Sequence, residues 1–398
     1  MTSTQPDAGA LGTTAAAAPG QIAQSPGDPA APPPGQDEQA WPVVHALLID
    51  DNPDDRLIAE RLQADGLPCR AMIPDGTLDV LRGRILAEAS SGQADLILLD
   101  YRLDDIQSDA GPSFAHRAGA LAAEIKEHQP GLPLVLLTTE ENLRTWVEGN
   151  RSIAPLFDLT VLKSDLAVQE SRRHHALGMT DLAHGYQRLS RIAQGGLDWR
   201  SVASALGLDD DEAEAFAADW PDPPPKGLPD LVAAVLKGLM ADRPGPLLPY
   251  PDAAARLGIE QAALPGILSA EPRLHYQGPF GRMQPRVWRS RLDSEAARAY
   301  VAEAEGATLE DPFLTALLQA PKQLCRVCSE RRSTRACAIC RQGIDDRHYV
   351  VASELVRPAW SEPRAICFIC IEDGHADDER FPPGSRSLIE RLRAGEGA

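Results

Sequence analysis

The chain has 398 residues, with 39 Lys+Arg against 58 Asp+Glu and a formal charge of −19 at pH 7, and this length predicts two or three domains. A content of 43 % hydrophobic and 24 % charged residues is that of a globular protein, while 34 Pro and 31 Gly mark linkers or tails. No apolar run approaches the roughly 18 residues of a membrane span, and no basic residue precedes Arg56, so the expectations are no membrane and a cytoplasmic address. Global acidity excludes a general nucleic-acid coat and leaves DNA contact to a local basic patch.

Residues 1–42 alternate Ala, Pro, Gly and Ser/Thr with little to bury, and are expected to form a disordered tail. From Val43 the text changes to short apolar runs, VVHALLID, DLILLD, LPLVLLTT and FDLTVLK, separated by helix-compatible segments at 56–65, 114–129 and 142–149. Such runs suit strands buried on both faces of a parallel sheet, with the intervening segments as crossover helices. The expected fold class is therefore α/β, a doubly wound parallel sheet. Residues 166–240 read as helical, broken by WPDPPPKGLP at 220–229.

A further unit begins near Leu247. PDAAARLGIEQAALPGILSAEP reads as helix, Gly-centred turn and helix, and RLHYQGPFGRMQPRVWRSRL as a β-ribbon with a Gly/Pro tip, the order of a winged helix. Its second helix, expected over 261–268, has Pro265 in its middle, which would bend it. Arg273, Arg282, Arg286, Arg289 and Arg291 fall on the expected ribbon with Tyr276, Phe280 and Trp288 between them. An arginine-bearing wing can lie along a DNA backbone, and winged helices also bind proteins.

The strand ends carry the chemistry. Asp50 and Asp51 follow LLI, Asp100 follows LILL, Thr138 follows LVLL and Lys163 follows TVL. The carboxyl ends of strands in a doubly wound sheet converge on one crevice, so these five residues are expected to share a site. Clustered carboxylates repel, and a hard cation such as Mg²⁺ relieves that repulsion while leaving positions for a phosphoryl oxygen. Thr138 and Lys163 would then complete an anion-binding face for phosphoryl transfer to Asp100.

Across about residues 44–170 this text resembles the receiver domain of bacterial two-component response regulators. The resemblance implies a flavodoxin-like fold and a phosphoryl group received from a histidine kinase or phosphotransfer protein. It places the acidic pair on Asp50 and Asp51, the phosphoacceptor on Asp100, the switch hydroxyl on Thr138 and the lysine on Lys163. It adds the backbone carbonyl of Arg102 to the Mg²⁺ shell with Asp50, Asp51 and Asp100. The chain departs from the family in three places: Ser164 replaces the proline after the lysine, Thr160 replaces the aromatic switch residue, and the loop after Asp100 is long and acidic.

Six of the seven cysteines form three C-x-x-C pairs, Cys325/Cys328, Cys337/Cys340 and Cys367/Cys370, and Cys69 stands apart. Each pair can supply two corners of a Zn²⁺ tetrahedron, and six Cys with His348 and His375 give 6 + 2 = 8 ligands, enough for two closed sites. Asp345, Asp346, Asp377 or Asp378 are alternatives for the histidine corners. The spacing is similar in a general way to RING-like, treble-clef or ribbon zinc fingers.

The expected organisation is a tail at 1–42, a receiver at 43–172, a helical region at 173–243, a winged-helix-like domain at 244–300, a zinc module at 321–380 and a carboxyl-terminal tail at 381–398. The functional expectation is a phosphorylation-controlled signalling protein and not a metabolic enzyme, with output through the winged helix to DNA or through the zinc module to a protein partner. The alternative is a non-enzymatic adaptor, RING-like, in a protein-modification or defence assembly.

Overall fold

The computed structural model describes residues 42–52, 55–103, 107–108, 111–112, 117–147, 154–220, 223–240, 245–305, 311–353, 361–376, 379 and 381–395. Residues 1–41, where the tail is expected, lie outside that set.

Five strands, β1 (Ala46–Ile49), β2 (Cys69–Met72), β3 (Leu96–Asp100), β4 (Leu134–Thr138) and β5 (Leu159–Leu162), form one parallel sheet in the order β2-β1-β3-β4-β5. This is the flavodoxin-like order of a doubly wound fold. The apolar runs are continuous because both faces are covered. Leu48, Leu98, Val135, Leu137 and Val161 enter one core, while Leu47, Ile49, Ile97, Leu99, Leu134 and Leu136 enter another, as the two-residue period of a strand requires. Helices α1 (Arg56–Ala64), α2 (Leu78–Ser90) and α3 (Ala118–His128) pack on these faces.

The pair β2 and α2 was not expected from the sequence. β2 is an edge strand, and only Cys69 of its four residues is buried, so it lacks the apolar signature of its neighbours. The start of α2 is signalled locally, since the Thr77 side chain accepts a hydrogen bond from the Val80 N–H.

A 27-residue helix, α4 (Gln169–Gly195), follows β5 by way of a helical turn at Lys163–Ala167. Arg172 Nε donates to Asp65 Oδ2 at 2.5 Å, tying its first turns to the end of α1. Its later turns meet the second unit: Asp181 Oδ2 accepts the N–H groups of Arg282 and Met283 at 2.8 and 2.7 Å. Gly185 lies under the Phe280 ring so closely that a Cβ there would overlap it. Gly185→Ala is therefore expected to lower stability by roughly 1–3 kcal/mol through overpacking. Gly178→Ala, where a Cβ meets nothing within 4 Å, should be neutral or stabilising. Thermal unfolding of the two variants beside wild type checks the contrast.

Helices α5 (Trp199–Ala205), α6 (Asp210–Asp219, with a capping box between Asp209 and Glu212) and α7 (Leu228–Val232) follow. In the second unit β6 (Leu247–Pro249) pairs antiparallel with β7 (Arg286–Trp288), and His275 bridges Val287. Between them lie α8 (Tyr250–Leu257) and α9 (Leu264–Ala270), joined by Gly258 at φ 63° and a turn at Gln261–Ala263. The expected helix over 261–268 is corrected by this split. Pro265 sits in the first turn of α9, where its missing N–H has no helical partner to lose, so it bends nothing. The expected ribbon is likewise reduced to β7 and one bridge, because its tip folds inward and Phe280 is fully buried. Helices α10 (Arg289–Glu305) and α11 (Pro312–Gln319) cover this unit.

The cysteine-rich part contains two small antiparallel ladders, β8 (Arg335–Ala336) with β9 (Gly343–Ile344) and β10 (Tyr349–Val351) with β11 (Ala365–Cys367), then α12 (Phe368–Glu372) and α13 (Arg386–Arg393). Ile389 and Leu392 of α13 are buried in the same core as Ile366, Phe368 and Ile371. Residues 386–393, within the segment 381–398 set apart as a carboxyl-terminal tail, form a helix that packs on the module. No helix is long and apolar enough to cross a membrane among the described residues.

Candidate functional site

The sheet brings the strand-end residues together. Asp50 and Asp51 follow β1, and Asp100 closes β3 beside it; carboxylate oxygens of the three lie within 4.8 Å of one another. All three are buried. Lys163, which leaves β5, reaches across with Nζ 2.9 Å from Asp50 Oδ2 and 2.9 Å from Asp100 Oδ1. Thr138 ends β4, the strand next to β3; it is fully buried, and its Oγ1 donates to the Thr139 carbonyl at 3.4 Å. Backbone N–H groups fix the acids: Asn52 donates to Asp50 Oδ1 at 2.9 Å and Arg102 to Asp100 Oδ2 at 3.2 Å.

The sequence reading missed Asp55, whose Oδ2 is 2.6 Å from Lys163 Nζ. It precedes α1, close in the text to Asp50 and Asp51, and only the folded turn shows that it shares the lysine.

Burial pushes the Asp50 carboxyl up to about 7, and the neighbouring Asp100 charge adds to the rise against the pull of Lys163. Burial likewise raises Asp100 to about 6, opposed by Lys163. Burial alone would lower the Lys163 ammonium, but Asp100 and Asp50 outweigh it and hold it above its ordinary value. Three oxygen donors in a desolvated pocket with mutual repulsion fit a hard divalent cation.

No family model and no curated protein matches the chain. Solved structures do. A receiver-domain protein from Clostridium thermocellum is 18 % identical, with 33 % of this chain and 93 % of that one aligned at a TM-score of 0.25. The response regulator TrrA from Thermotoga maritima, in complex with Mg²⁺-BeF, is 24 % identical over 30 % of this chain and 86 % of its own, with a TM-score of 0.23. The receiver domain of NtrX from Brucella abortus is 24 % identical over 32 % and 96 %, with a TM-score of 0.24. These neighbours are receiver domains of response regulators, and the likeness is one of fold over about a third of the chain.

The departures noted in the sequence are visible in the α/β unit. Ser164 is exposed within the helical turn that Lys163 opens, no cis peptide bond occurs among the described residues, and Thr160 is exposed on β5. Most of the loop after Asp100 lies outside the described residues, which retain a small ladder of Gln107–Ser108 against Gly111–Pro112.

The cysteines gather into two groups: Cys337, Cys340, Cys367 and Cys370, and Cys325, Cys328, Asp345 and His348, with ligand atoms of each group within 4.8 Å. His375 joins neither group and is exposed. The expectation that His375 stands with the cysteines is corrected: among the described residues Asp345, one of the alternatives for a histidine corner, stands beside Cys325, Cys328 and His348, with His348 Nδ1 3.0 Å from its Oδ1. Asp377 and Asp378 lie outside the described residues. Local backbone supports thiolate chemistry. Ser329 and Arg341, each just after a second cysteine, have φ of 58° and 61°, and their N–H groups close turns onto the Cys325 and Cys337 carbonyls. The third pair sits at the start of α12, where Cys367 Sγ accepts the Cys370 N–H at 3.4 Å and Cys337 Sγ accepts the Cys367 N–H at 3.3 Å. Sulfurs already turned towards N–H donors suit the thiolate state that Zn²⁺ needs.

The arginines of the expected ribbon are largely engaged within the protein. Arg286 is 4 % exposed and donates to the Met240 carbonyl. Arg291 pairs with Glu212 at 2.5 Å, Arg289 with Glu362 at 2.8 Å and Arg273 with Glu271 at 2.7 Å. Arg282 is exposed.

Proposed function

We propose that the α/β unit is a phosphoryl-accepting receiver and that the chain is a signalling switch, with Asp100 as the phosphoacceptor. The observation that carries this reading is the Asp50–Asp51–Asp100 group with Lys163 spanning Asp50 and Asp100. Asp50, Asp51 and Asp100 would hold Mg²⁺, with the Arg102 carbonyl as a further ligand; the ion, when bound, offsets charge on the phosphoryl oxygens. An Asp100 carboxylate oxygen attacks phosphorus, the donor's leaving group departs with the bond pair, and Lys163 balances the charge left on Asp100. Thr138 supplies the hydroxyl at the end of the adjacent strand.

The donor class is a histidine kinase or phosphotransfer protein, and the address is cytoplasmic. Wild-type protein treated with Mg²⁺ and acetyl phosphate should gain one phosphoryl mass, or bind beryllofluoride, and Asp100→Asn should do neither. An unmodified wild-type intact mass would remove the acceptor role.

For the output, the alternation of zinc groups along the chain favours a protein-binding role for the carboxyl-terminal module. The pair Cys325/Cys328 shares a site with Asp345/His348, and Cys337/Cys340 shares one with Cys367/Cys370. This interleaving supports the RING-like adaptor reading, with capture of a partner by the full chain lost in Cys367→Ser. DNA contact through the exposed Arg282 side of the second unit is the competing output, and it requires steep salt dependence.

A further inference from the structure

Lys163 holds one acid more than phosphoryl transfer to Asp100 asks of it. An ammonium has three N–H donors and no acceptor, and three carboxylate oxygens surround this one: Asp50 Oδ2 and Asp100 Oδ1 at 2.9 Å each and Asp55 Oδ2 at 2.6 Å. Asp50 and Asp100 belong with Asp51 to the group whose oxygens could share a metal ion, and Asp55 stands outside that group. A divalent cation and the lysine therefore compete for two of the ammonium's three partners.

The placement of Asp55 supplies an independent observation. It is the N-cap residue of α1, the position where an aspartate usually accepts a backbone N–H of the first turn. Its side chain makes no such bond, and its Oδ2 turns to Lys163 instead. The carboxylate also sits at the rim of the pocket: 22 % of the Asp55 side chain is exposed, against 2 % for Asp50 and 9 % for Asp100. A divalent cation on Asp50 and Asp100 would repel an ammonium at such short range. Asp55 offers a counter-charge on the outer side. Without it, Lys163 would either keep its bonds to the inner acids and shut the cation out, or leave for solvent and be lost to the phosphoryl group.

We propose that Asp55 is a positioning residue for Lys163: it retains the ammonium while Asp50 and Asp100 turn their oxygens to a divalent cation, so that both positive charges can stand in one pocket. The flexible four-carbon stem lets the ammonium shift towards the rim while the backbone stays in place. This inference rests on the receiver reading and adds to it a determinant of Mg²⁺ affinity that acts through the lysine.

The test is calorimetric titration of Mg²⁺ into the full-length, zinc-saturated protein, freed of excess zinc, at pH 8. Asp55→Asn keeps the shape of the side chain and removes its charge, and it should weaken Mg²⁺ binding by roughly tenfold. Lys163→Met removes the competitor and should bind Mg²⁺ at least as tightly as wild type. Adding Asp55→Asn to Lys163→Met should then change the affinity by less than about threefold, because nothing remains for Asp55 to hold. A tenfold loss that persists in the Lys163→Met background would mean that Asp55 acts on the ion directly, and it would overturn the assignment, as would an Asp55→Asn variant that binds Mg²⁺ as tightly as wild type. The chain has only five lysines, so ammonium NMR gives a second readout that needs no change at Lys163. The Lys163 Nζ signal should stay protected from exchange in Mg²⁺-saturated wild type and broaden in Mg²⁺-saturated Asp55→Asn; its loss from the wild type on adding Mg²⁺ would also overturn the assignment, and this measurement decides if Lys163→Met does not fold. Acetyl phosphate separates the two readings. A wild type that takes up Mg²⁺ and a phosphoryl group, matched in Mg²⁺ affinity by Asp55→Asn, keeps the receiver and removes the role of Asp55, whereas a wild type that binds no Mg²⁺ removes both.

Discussion

Chelation is expected to strip zinc from the cysteine module in two steps, the first ion leaving the group of Cys325, Cys328, Asp345 and His348. That group replaces two thiolates with a carboxylate and an imidazole, and Cys328 and His348 are only half-buried, so protons and chelator reach its ligands more readily. The other group is all sulfur, and Cys337, Cys367 and Cys370 are buried among Ile344, Ile366 and Phe368. Structural zinc contributes about 10–16 kcal/mol of apparent binding energy to small modules. This is the largest single effect expected anywhere in the chain.

Release followed with a chromophoric zinc indicator should show one ion per chain at mild acidity or low chelator, and a second only under stronger conditions. Asp345→Asn should lose the first ion and keep the second. His375→Ala should keep both, and Cys367→Ser should unfold the module, exposing residues 321–395 to proteolysis. A stoichiometry of one zinc, or retention of both ions by Asp345→Asn, would contradict the two-site arrangement. The interleaved order also links the sites: the loop from Cys325 to His348 encloses Cys337 and Cys340, so freeing it lengthens the unconstrained chain around the second ion. The second ion should accordingly bind less tightly once the first has gone.

How much of this was legible in the sequence depended on whether a residue's environment is set locally. The three central strands were legible because burial on both faces leaves an unbroken apolar run, as in LILLD and LVLLT. Their polar end residues followed from topology. β2 was hidden because an edge strand carrying Arg70 has no such run. The cysteine pairs were legible from the geometry of C-x-x-C, but the choice between His375 and Asp345 was not, since it turns on where one loop folds back. Arg286 and Arg291 read as part of a wing open to DNA because their partners, the Met240 carbonyl and Glu212, lie tens of residues away. Asp55 was missed for the opposite reason: it is close to Asp50 in the text, yet its partner Lys163 follows β5, three strands away from β1 in the sheet.

The second large effect belongs to the acidic pocket, where neutralising an acid should stabilise the protein. In the absence of Mg²⁺, Asp50 and Asp100 are held at about 7 and about 6 against an ordinary 3.8, burial being the first cause of each. Between about pH 4 and pH 7 the folded chain therefore binds more protons at these groups than the unfolded chain does. Unfolding releases those protons, so the pocket's contribution to stability falls as pH rises through that window and levels off above it. This is the reverse of ordinary acid lability. At about 1.4 kcal/mol per unit, the shift of Asp100 corresponds to a penalty on the order of 2–3 kcal/mol at neutral pH, with the attraction of Lys163 already counted in it. Asp100→Asn has the same shape without the charge, and it should raise the melting temperature of the zinc-saturated, Mg²⁺-free protein at pH 7, with the gain shrinking towards pH 4. Mg²⁺ should stabilise the wild type over the same range and Asp100→Asn much less, because the ion offsets the repulsion that the substitution removes. Scanning calorimetry across this pH range, with and without Mg²⁺, measures all of these effects. A wild type that gains stability as pH rises from 4 to 7 at these groups, or an Asp100→Asn variant less stable than wild type at neutral pH, would show that Lys163 fully compensates the buried carboxylates and that the pocket needs no cation.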